Sequence, residues 1–312
     1  MAKRTYNTED LSNNDTSVSD IINDIINDDI HDEHKTEKST VRKSKSGFNI
    51  VTGLISIGLL MGSIFFGYKF LQEENKHISV IKLWDNIKDI ANETETSTDG
   101  SSKDNVSSES AYSTDPIDRE INWIDLCKIN SDVTCWMYIP DTQIDYPVLQ
   151  EPRYGEYFYL RRDIYKKEFI SGSLFIPKLP DGYTEDAHLL IFGHNMRNGT
   201  MFSTLLEYKS QKFYTDHPYI YMYYPDRTEK WEVWSAYHTS QNDIVYHIPY
   251  ELGTEEYVNL LNSIDSKKSY TTSIKDVTSD TNILSLSTCD KTDNESGRFV
   301  LNAVMVDVKY IN

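Results

Sequence analysis

The longest uninterrupted apolar stretch of the chain runs from Phe48 to Tyr68 and contains no charged residue. Its 21 residues match the length of about 20 residues that a helix needs to cross the hydrocarbon core of a bilayer. A cleaved secretory signal has a shorter apolar region followed by a small-residue cleavage site, and none is obvious after Phe66. A buried core helix is the alternative, although core helices seldom lack charge over this length. The pattern therefore predicts one transmembrane helix at residues 48–68.

Charged residues flank this predicted span unequally. Three basic residues lie between Arg42 and Lys45, whereas basic and acidic residues are mixed between Lys69 and Lys76. Cytoplasmic flanks of membrane helices are enriched in Lys and Arg. We therefore expect a single-pass protein of the cell membrane, with residues 1–47 as a cytoplasmic tail and the C-terminal part of the chain outside the cell.

Helical periodicity recurs on both sides of the span. Apolar residues between Val18 and Ile30 predict either a marginal helix in a solvated tail or a helix that docks on a partner. Apolar residues from Val80 onward, at helical spacing, predict a helical stalk that ends near Ala91. Residues 92–115 are rich in Ser, Thr, Asp and Asn and predict a flexible linker. Stalk and linker together occupy residues 69–115, and the folded domain is expected at 116–312.

Short apolar runs bounded by turn residues dominate this domain, and few helical patterns interrupt them. Such a pattern predicts a mainly β fold, a closed or nearly closed barrel with a few helices. The predicted strands are Cys135–Ile139, Tyr146–Leu149, Ser173–Ile176, His188–Phe192, Ile220–Tyr224, Lys230–His238, Asn282–Thr288 and Phe299–Tyr310. The predicted helices are Ile117–Ile129, Met201–Tyr208 with Thr200 as its N-cap, and Thr254–Ser263.

Composition excludes several classes of function. The 312 residues include 31 Lys and Arg against 49 Asp and Glu, a net charge of −18, which argues against nucleic-acid binding because such binding needs a basic surface. The 22 Tyr and 11 Phe argue against a wholly disordered chain. The sequence has neither an H-x-x-x-H pair nor a C-x-x-C motif, so we expect no catalytic metal and no cofactor.

The three cysteines are too few to form a disulfide framework. Cys127 and Cys135 would both lie outside the cell and could form a disulfide, and buried free thiols are the alternative that we favour.

The third cysteine belongs to a group of residues that could perform nucleophilic chemistry. Cys289 ends a predicted strand, and Arg298 begins the next after the eight-residue loop 290–297. Antiparallel neighbours joined in this way place their facing ends side by side. His194 follows another strand, after Gly193, which we expect to adopt a backbone conformation that other residues resist. A thiolate, an imidazole and a guanidinium could attack, shuttle a proton and stabilise an oxyanion; purely structural roles are the alternative for each residue.

Specific motifs surround these three residues. The segment Phe192–Phe202 reads FGHNMRNGTMF, Leu286–Cys289 reads LSTC, and Gly297–Val300 reads GRFV. With the stretches around Trp136–Pro140, they make the region from about Asn122 to Asp307 resemble a class B sortase. The helical pattern at 254–263 agrees with the extra helix of that class. One departure is Ser285, where the family usually has Thr four residues before the cysteine.

The resemblance implies a sortase-type closed barrel and assigns roles by position. Cys289 corresponds to the nucleophile, His194 to the acid/base residue and Arg298 to the cation that stabilises the oxyanion or positions the substrate. Ser287 and Thr288 lie beside the thiol and are candidate substrate-binding residues, with strand packing as the alternative.

The implied activity is that of a membrane-anchored cysteine transpeptidase. Such an enzyme cleaves a C-terminal sorting motif of secreted proteins through a thioacyl-enzyme and transfers them to an amine of the peptidoglycan crossbridge or its precursor. A pilin polymerase that uses a Lys amine, a hydrolytic cysteine protease and a non-catalytic surface-binding module are the alternatives.

Overall fold

A computed structural model describes residues 47–93, 115–151, 153–180, 187–290 and 297–311. The predicted tail helix at 18–30 and residues 94–114 of the predicted linker lie outside these ranges. The chain divides into two compact units, Met1–Tyr68 and Lys69–Asn312.

The described part of the first unit belongs to helix α1, which runs from Gly47 to Asn92. Its large apolar side chains between Leu54 and Tyr68 are exposed. Among the described residues, α1 is the one helix that is long and apolar enough to cross a membrane by length and composition. The structure thus confirms a long apolar N-terminal helix over the predicted span.

Within the second unit, the C-terminal half of α1 has one buried face. Val80, Trp84, Ile87 and Ala91 have almost no exposed surface and belong to the main hydrophobic core. The amide of Asn122 donates to the carbonyl of Ala91 at 2.9 Å, which ties the helix end to the domain. The domain boundary near residue 116 stays a prediction, but this face of α1 contributes to the domain core.

A closed barrel of eight strands forms the second unit, as the sequence pattern predicts. Its strand order is β1-β2-β3-β4-β7-β8-β6-β5. The β2/β3 and β4/β7 pairs are parallel and the other neighbours are antiparallel. The strands are β1 Val133–Tyr138, β2 Asp145–Leu149, β3 Leu174–Phe175, β4 His188–Phe192, β5 Tyr219–Tyr223, β6 Arg227–Ser240, β7 Ile283–Cys289 and β8 Gly297–Tyr310.

The predicted helix Ile117–Ile129 is two separate elements. A 3-10 turn spans Pro116–Asp118, and helix α2 spans Trp123–Ile129. Asn122 is the N-cap of α2, because its side chain accepts a hydrogen bond from the amide of Asp125. A new N-cap at this position starts a second helix instead of continuing the first.

The predicted helix Met201–Tyr208 is a 3-10 helix at Ser203–Lys209, and Thr200 is not its N-cap. Met201 has a φ of 57°, outside the range of a right-handed helix. The Thr200 hydroxyl donates instead to Asn198 Oδ1 at 2.7 Å. Helix α3, Gln211–Asp216, follows directly and was not predicted.

Helix α4 spans Glu255–Lys267 and confirms the predicted helical pattern, with Thr254 as N-cap. It covers a second, smaller apolar cluster that includes Leu260, Ile264, Val300 and Val304. Successive residues of β7 and β8 alternate between the two sides of the barrel wall. Those that face the barrel interior belong to the main core and include Leu284, Leu286, Phe299 and Leu301. The residues between them face α4.

The cysteines have free thiols, so Cys127 and Cys135 do not form a disulfide. Cys135 is buried in β1, and burial raises the pKa of its thiol. Cys127 is exposed on α2, contrary to the expectation of a buried thiol.

Candidate active site

Cys289 and Arg298 are direct cross-strand partners at the adjoining ends of β7 and β8. Arg298 is in turn paired with Thr239 of β6. Side chains of directly paired residues lie on the same face of an antiparallel sheet. The thiol and the guanidinium therefore lie on one face of the barrel wall, as the loop spacing predicts.

His194 reaches the same edge through the parallel pairing of β4 and β7. Phe192 is paired with Ser287, and the amide of Gly193 donates to the carbonyl of Ser287 at 3.1 Å. His194 lies two residues beyond Phe192, and Cys289 lies two residues beyond Ser287. Because parallel strands advance together, the loop that carries His194 begins beside the end of β7 that carries Cys289. The fold thus brings all three predicted residues to one edge.

Close packing explains the glycine before His194. A Cβ atom on Gly193 would come within 2.6 Å of Phe202 Cδ2 and would also collide with the Leu174 side chain. The φ of Gly193 is not among the positive values found in the chain, so the predicted reason, an unusual backbone conformation, was wrong. Only a residue without a side chain allows the His194 loop to lie this close to the core.

The His194 ring is oriented by a backbone carbonyl. Its Nε2 atom lies 2.7 Å from the carbonyl oxygen of Leu160. A carbonyl oxygen can only accept, so Nε2 carries a proton. In the neutral imidazole Nδ1 is then the atom that accepts a proton, and the two nitrogens have distinct roles.

Asn195 connects the histidine loop to the cysteine strand. Its Nδ2 atom donates to the carbonyl oxygen of Cys289 at 3.1 Å. Sequence reasoning missed this contact, although Asn195 belongs to the motif around His194.

Arg298 has only 8% of its surface exposed. Its Nη1 atom donates to the carbonyl of Gly297 at 3.0 Å. Burial and the Glu156 charge raise the pKa of Tyr157 to about 12, whereas the Arg298 charge acts in the opposite direction. Tyr157 is therefore close enough to Arg298 to interact with its charge.

Ser287 and Thr288 point to opposite faces of β7. Ser287 shares the face of Cys289, and its hydroxyl lies 2.9 Å from the Tyr246 hydroxyl. The Thr288 hydroxyl donates to the carbonyl of Gly193 at 2.8 Å. Substrate contact stays a prediction for both residues, and the bond of Thr288 favours its structural alternative.

An aromatic wall borders this edge. Phe192 stacks on Tyr246 with ring centroids 5.9 Å apart and on Phe175 at 5.6 Å, and Tyr157 meets it edge-on at 5.9 Å. Tyr157 and Tyr246 lie in connecting segments without periodic pattern, so no local signal in the sequence could identify them.

The residue after Cys289 anchors the barrel end. Asp290 is buried, and its Oδ2 atom lies 2.7 Å from His238 Nδ1 and 3.1 Å from Lys209 Nζ. Its amide donates to the carbonyl of Gly297 at 2.9 Å, which closes the β7–β8 connection. Within the described part of the chain, no group of three or more His, Cys, Asp or Glu side chains could hold a metal ion.

A family model described as a sortase domain matches residues 137–306, which include Cys289, His194 and Arg298. The chain belongs to the sortase family. Sortase B of Listeria monocytogenes is 32% identical to this sortase over 185 residues, which cover 58% of the chain and 73% of the relative.

Solved structures agree with this assignment. Clostridium perfringens sortase B is 29% identical and superposes with a TM-score of 0.53. The aligned region covers 59% of this sortase and 99% of the Clostridium perfringens chain. The Staphylococcus aureus sortase B–substrate complex, at 27% identity, has a TM-score of 0.52 over 59% of this sortase and 84% of the other chain. These similarities confirm a class B sortase, and sortases are cysteine transpeptidases.

Proposed function

We propose that this class B sortase uses Cys289 to cleave a C-terminal sorting motif of secreted proteins and transfers them to an amine of the cell wall. The observation that supports the proposal most is the pairing of Cys289 with Arg298 at the ends of β7 and β8, with the His194 loop leaving the adjacent end of β4. A partly exposed thiol, an imidazole and a guanidinium are the parts that acyl transfer through a covalent intermediate requires.

The proposed reaction has two acyl transfers. The Cys289 thiol gives its proton to His194, Sγ bonds to the carbonyl carbon of the scissile peptide bond, the C–N bond breaks, and His194 gives that proton to the leaving amine. The amine of a peptidoglycan crossbridge or its precursor then attacks the thioester and loses a proton to His194. The C–S bond breaks, and the proton returns to the Cys289 thiolate. Arg298 stabilises the oxyanion in both transfers.

The same proposal places the enzyme in the cell membrane. Residues 48–68 form the anchor, residues 1–47 lie in the cytoplasm and the catalytic domain is outside, as the basic residues between Arg42 and Lys45 favour.

Exposed Cys127 tests this topology. In intact cells producing the Cys289→Ala variant, we expect a membrane-impermeant maleimide to label Cys127. Labelling that requires cell lysis would contradict the proposed orientation.

Amine capture tests the transfer activity. The full chain in detergent is incubated with peptides that carry sortase sorting motifs, with and without triglycine, and the products are identified by mass spectrometry. We expect a new amide between the motif fragment and triglycine. Hydrolysis alone at saturating triglycine would favour a cysteine protease, and transfer to a Lys peptide alone would favour a pilin polymerase.

A further inference from the structure

The segment after β6 is organised by one carboxylate. Both oxygens of Asp243 are used: Oδ1 accepts from the amide of Val245 at 3.0 Å, and Oδ2 accepts from the hydroxyl of Thr239. Asp243 is thereby the N-cap of the 3-10 turn Ile244–Tyr246. The same side chain therefore connects the end of β6 to the start of the turn that carries Tyr246.

Lys267, the last residue of α4, completes this arrangement. Its Nζ atom lies 2.8 Å from Asp243 Oδ2, and the side chains of Lys267 and Asp243 are 35% and 1% exposed. A carboxylate that is buried so fully is stable only when it is paired and hydrogen-bonded. Burial raises the pKa of Asp243, but the hydrogen bonds from Lys267, Thr239 and Val245 outweigh it and leave the pKa below its ordinary value. Asp243 is therefore ionised at neutral pH.

Tyr246 links this segment to the candidate active site. Its hydroxyl lies 2.9 Å from the Ser287 hydroxyl, and its ring stacks on Phe192. Ser287 and Phe192 are paired across β7 and β4, two residues before Cys289 and His194. Thr239, which donates to Asp243, is also the cross-strand partner of Arg298. The ion pair is therefore connected to Arg298 through Thr239 and to Ser287 through Tyr246.

We propose that the Asp243–Lys267 ion pair is a positioning pair for the acyl-transfer reaction: it holds Tyr246 against β4 and β7 and thereby fixes the aromatic wall at the edge that carries Cys289. This role rests on the proposed function. It predicts that loss of the pair weakens binding of the acyl-donor peptide, because the wall moves, while the thiol itself keeps its reactivity.

The test compares Lys267→Met with Lys268→Met in the full chain. Lys268 is the neighbouring residue, and within the described residues its ion pair is an i,i+3 pair with Asp265, so it is a matched control. Three quantities are measured: hydrogen exchange of the Val245 and Tyr246 amides, KM and kcat for a sorting-motif peptide, and the rate at which iodoacetamide alkylates Cys289. Lys267→Arg keeps the charge and serves as the rescue variant.

For Lys267→Met we expect amide exchange at Val245 and KM each to rise about tenfold, as loss of a buried charge partner implies. We expect kcat and Cys289 alkylation to stay within about twofold of wild type. Lys268→Met should match wild type, and Lys267→Arg should restore most of the KM.

Unchanged exchange at Val245, an unchanged KM, or an equal effect of Lys268→Met would overturn the positioning role. If Lys267→Met does not fold, Tyr246→Phe, which removes only the hydroxyl near Ser287, must raise KM for the proposal to stand. If the wild-type enzyme does not turn over the peptide, the proposed function fails, and the exchange comparison still decides whether the pair holds the turn.

Discussion

At the scale of single residues, Arg298 combines a permanent charge with a nearly buried position beside Cys289. A planar guanidinium donates several hydrogen bonds in a fixed geometry, whereas an ammonium does not. We expect Arg298→Lys to lower kcat/KM for a sorting-motif peptide by a factor of about 100 or more, in the range found when an oxyanion donor is removed. Steady-state kinetics at saturating triglycine measure the change.

Arg197→Lys is the control for this substitution, because Arg197 is exposed in the same loop as His194. Its kcat/KM should stay within about twofold of wild type. A wild-type rate for Arg298→Lys would remove Arg298 from the mechanism.

Most of the residues that the sequence assigns to the site could be found because they sit in a specific motif. Tyr157 and Tyr246 could not, since the ring contact of Tyr157 with Phe192 and the close approach of the Tyr246 and Ser287 hydroxyls join segments far apart in the chain. Gly193 was identified, but for the wrong reason: its neighbours Leu174 and Phe202 are known only once the core is packed.

At the scale of elements, the strands follow from short apolar runs, and errors arise where the backbone departs from regular geometry. The apolar residues that follow Thr200 have helical spacing, but Met201 has a positive φ, so the helix begins only at Ser203. The periodicity of α1 from Val80 onward was visible, whereas its burial in the domain core depends on a partner surface that the sequence does not display.

Trp84 tests whether α1 is an integral part of the domain. Its side chain is 1% exposed, meets the Tyr146 ring edge-on at 5.8 Å and donates to Ser171 Oγ at 3.3 Å. We expect Trp84→Ala to lower the free energy of unfolding by about 3–5 kcal/mol, as for other buried aromatic residues. Urea unfolding of the full chain in detergent, followed by circular dichroism, measures it.

Ile81 lies on the same helix and is 42% exposed, so Ile81→Ala should change the free energy of unfolding by about 0.5 kcal/mol or less. Equal effects of the two substitutions would show that this half of α1 is not packed as described.

At the scale of the whole molecule, barrel closure creates the site. The parallel pairing of β4 with β7 joins segments 95 positions apart, as in the pair His188–Ile283. Spacing alone could predict that Cys289 and Arg298 lie together, because one short loop joins their strands. It could not select His194 among eight histidines, and only the resemblance to class B sortases did so.

The pH dependence of stability tests the packing between β4 and β7. His188 is buried, its Nε2 atom lies 2.7 Å from Ser285 Oγ, and burial lowers its pKa to about 3. The unfolded chain therefore binds a proton below the ordinary pKa of 6.5, whereas the folded chain does not. The stabilisation is complete above pH 6.5 and is lost as the pH falls toward 3, by up to about 1.4 kcal/mol per pH unit.

Urea unfolding at several pH values between 7 and 5 should show this slope in the wild type and a shallower slope in His188→Gln. His247→Gln, at an exposed position, should keep the wild-type slope. Identical slopes for wild type and His188→Gln would contradict a buried neutral imidazole.

The central claim is that Cys289 carries the acyl group between two amines. The most direct measurement is the intact mass of the full chain after incubation with a sorting-motif peptide in the absence of an amine. We predict an added mass equal to the peptide fragment before the scissile bond, located on Cys289, released by triglycine and missing in Cys289→Ala. An adduct that persists in Cys289→Ala, or that is located on Cys127 or Cys135, would contradict the mechanism.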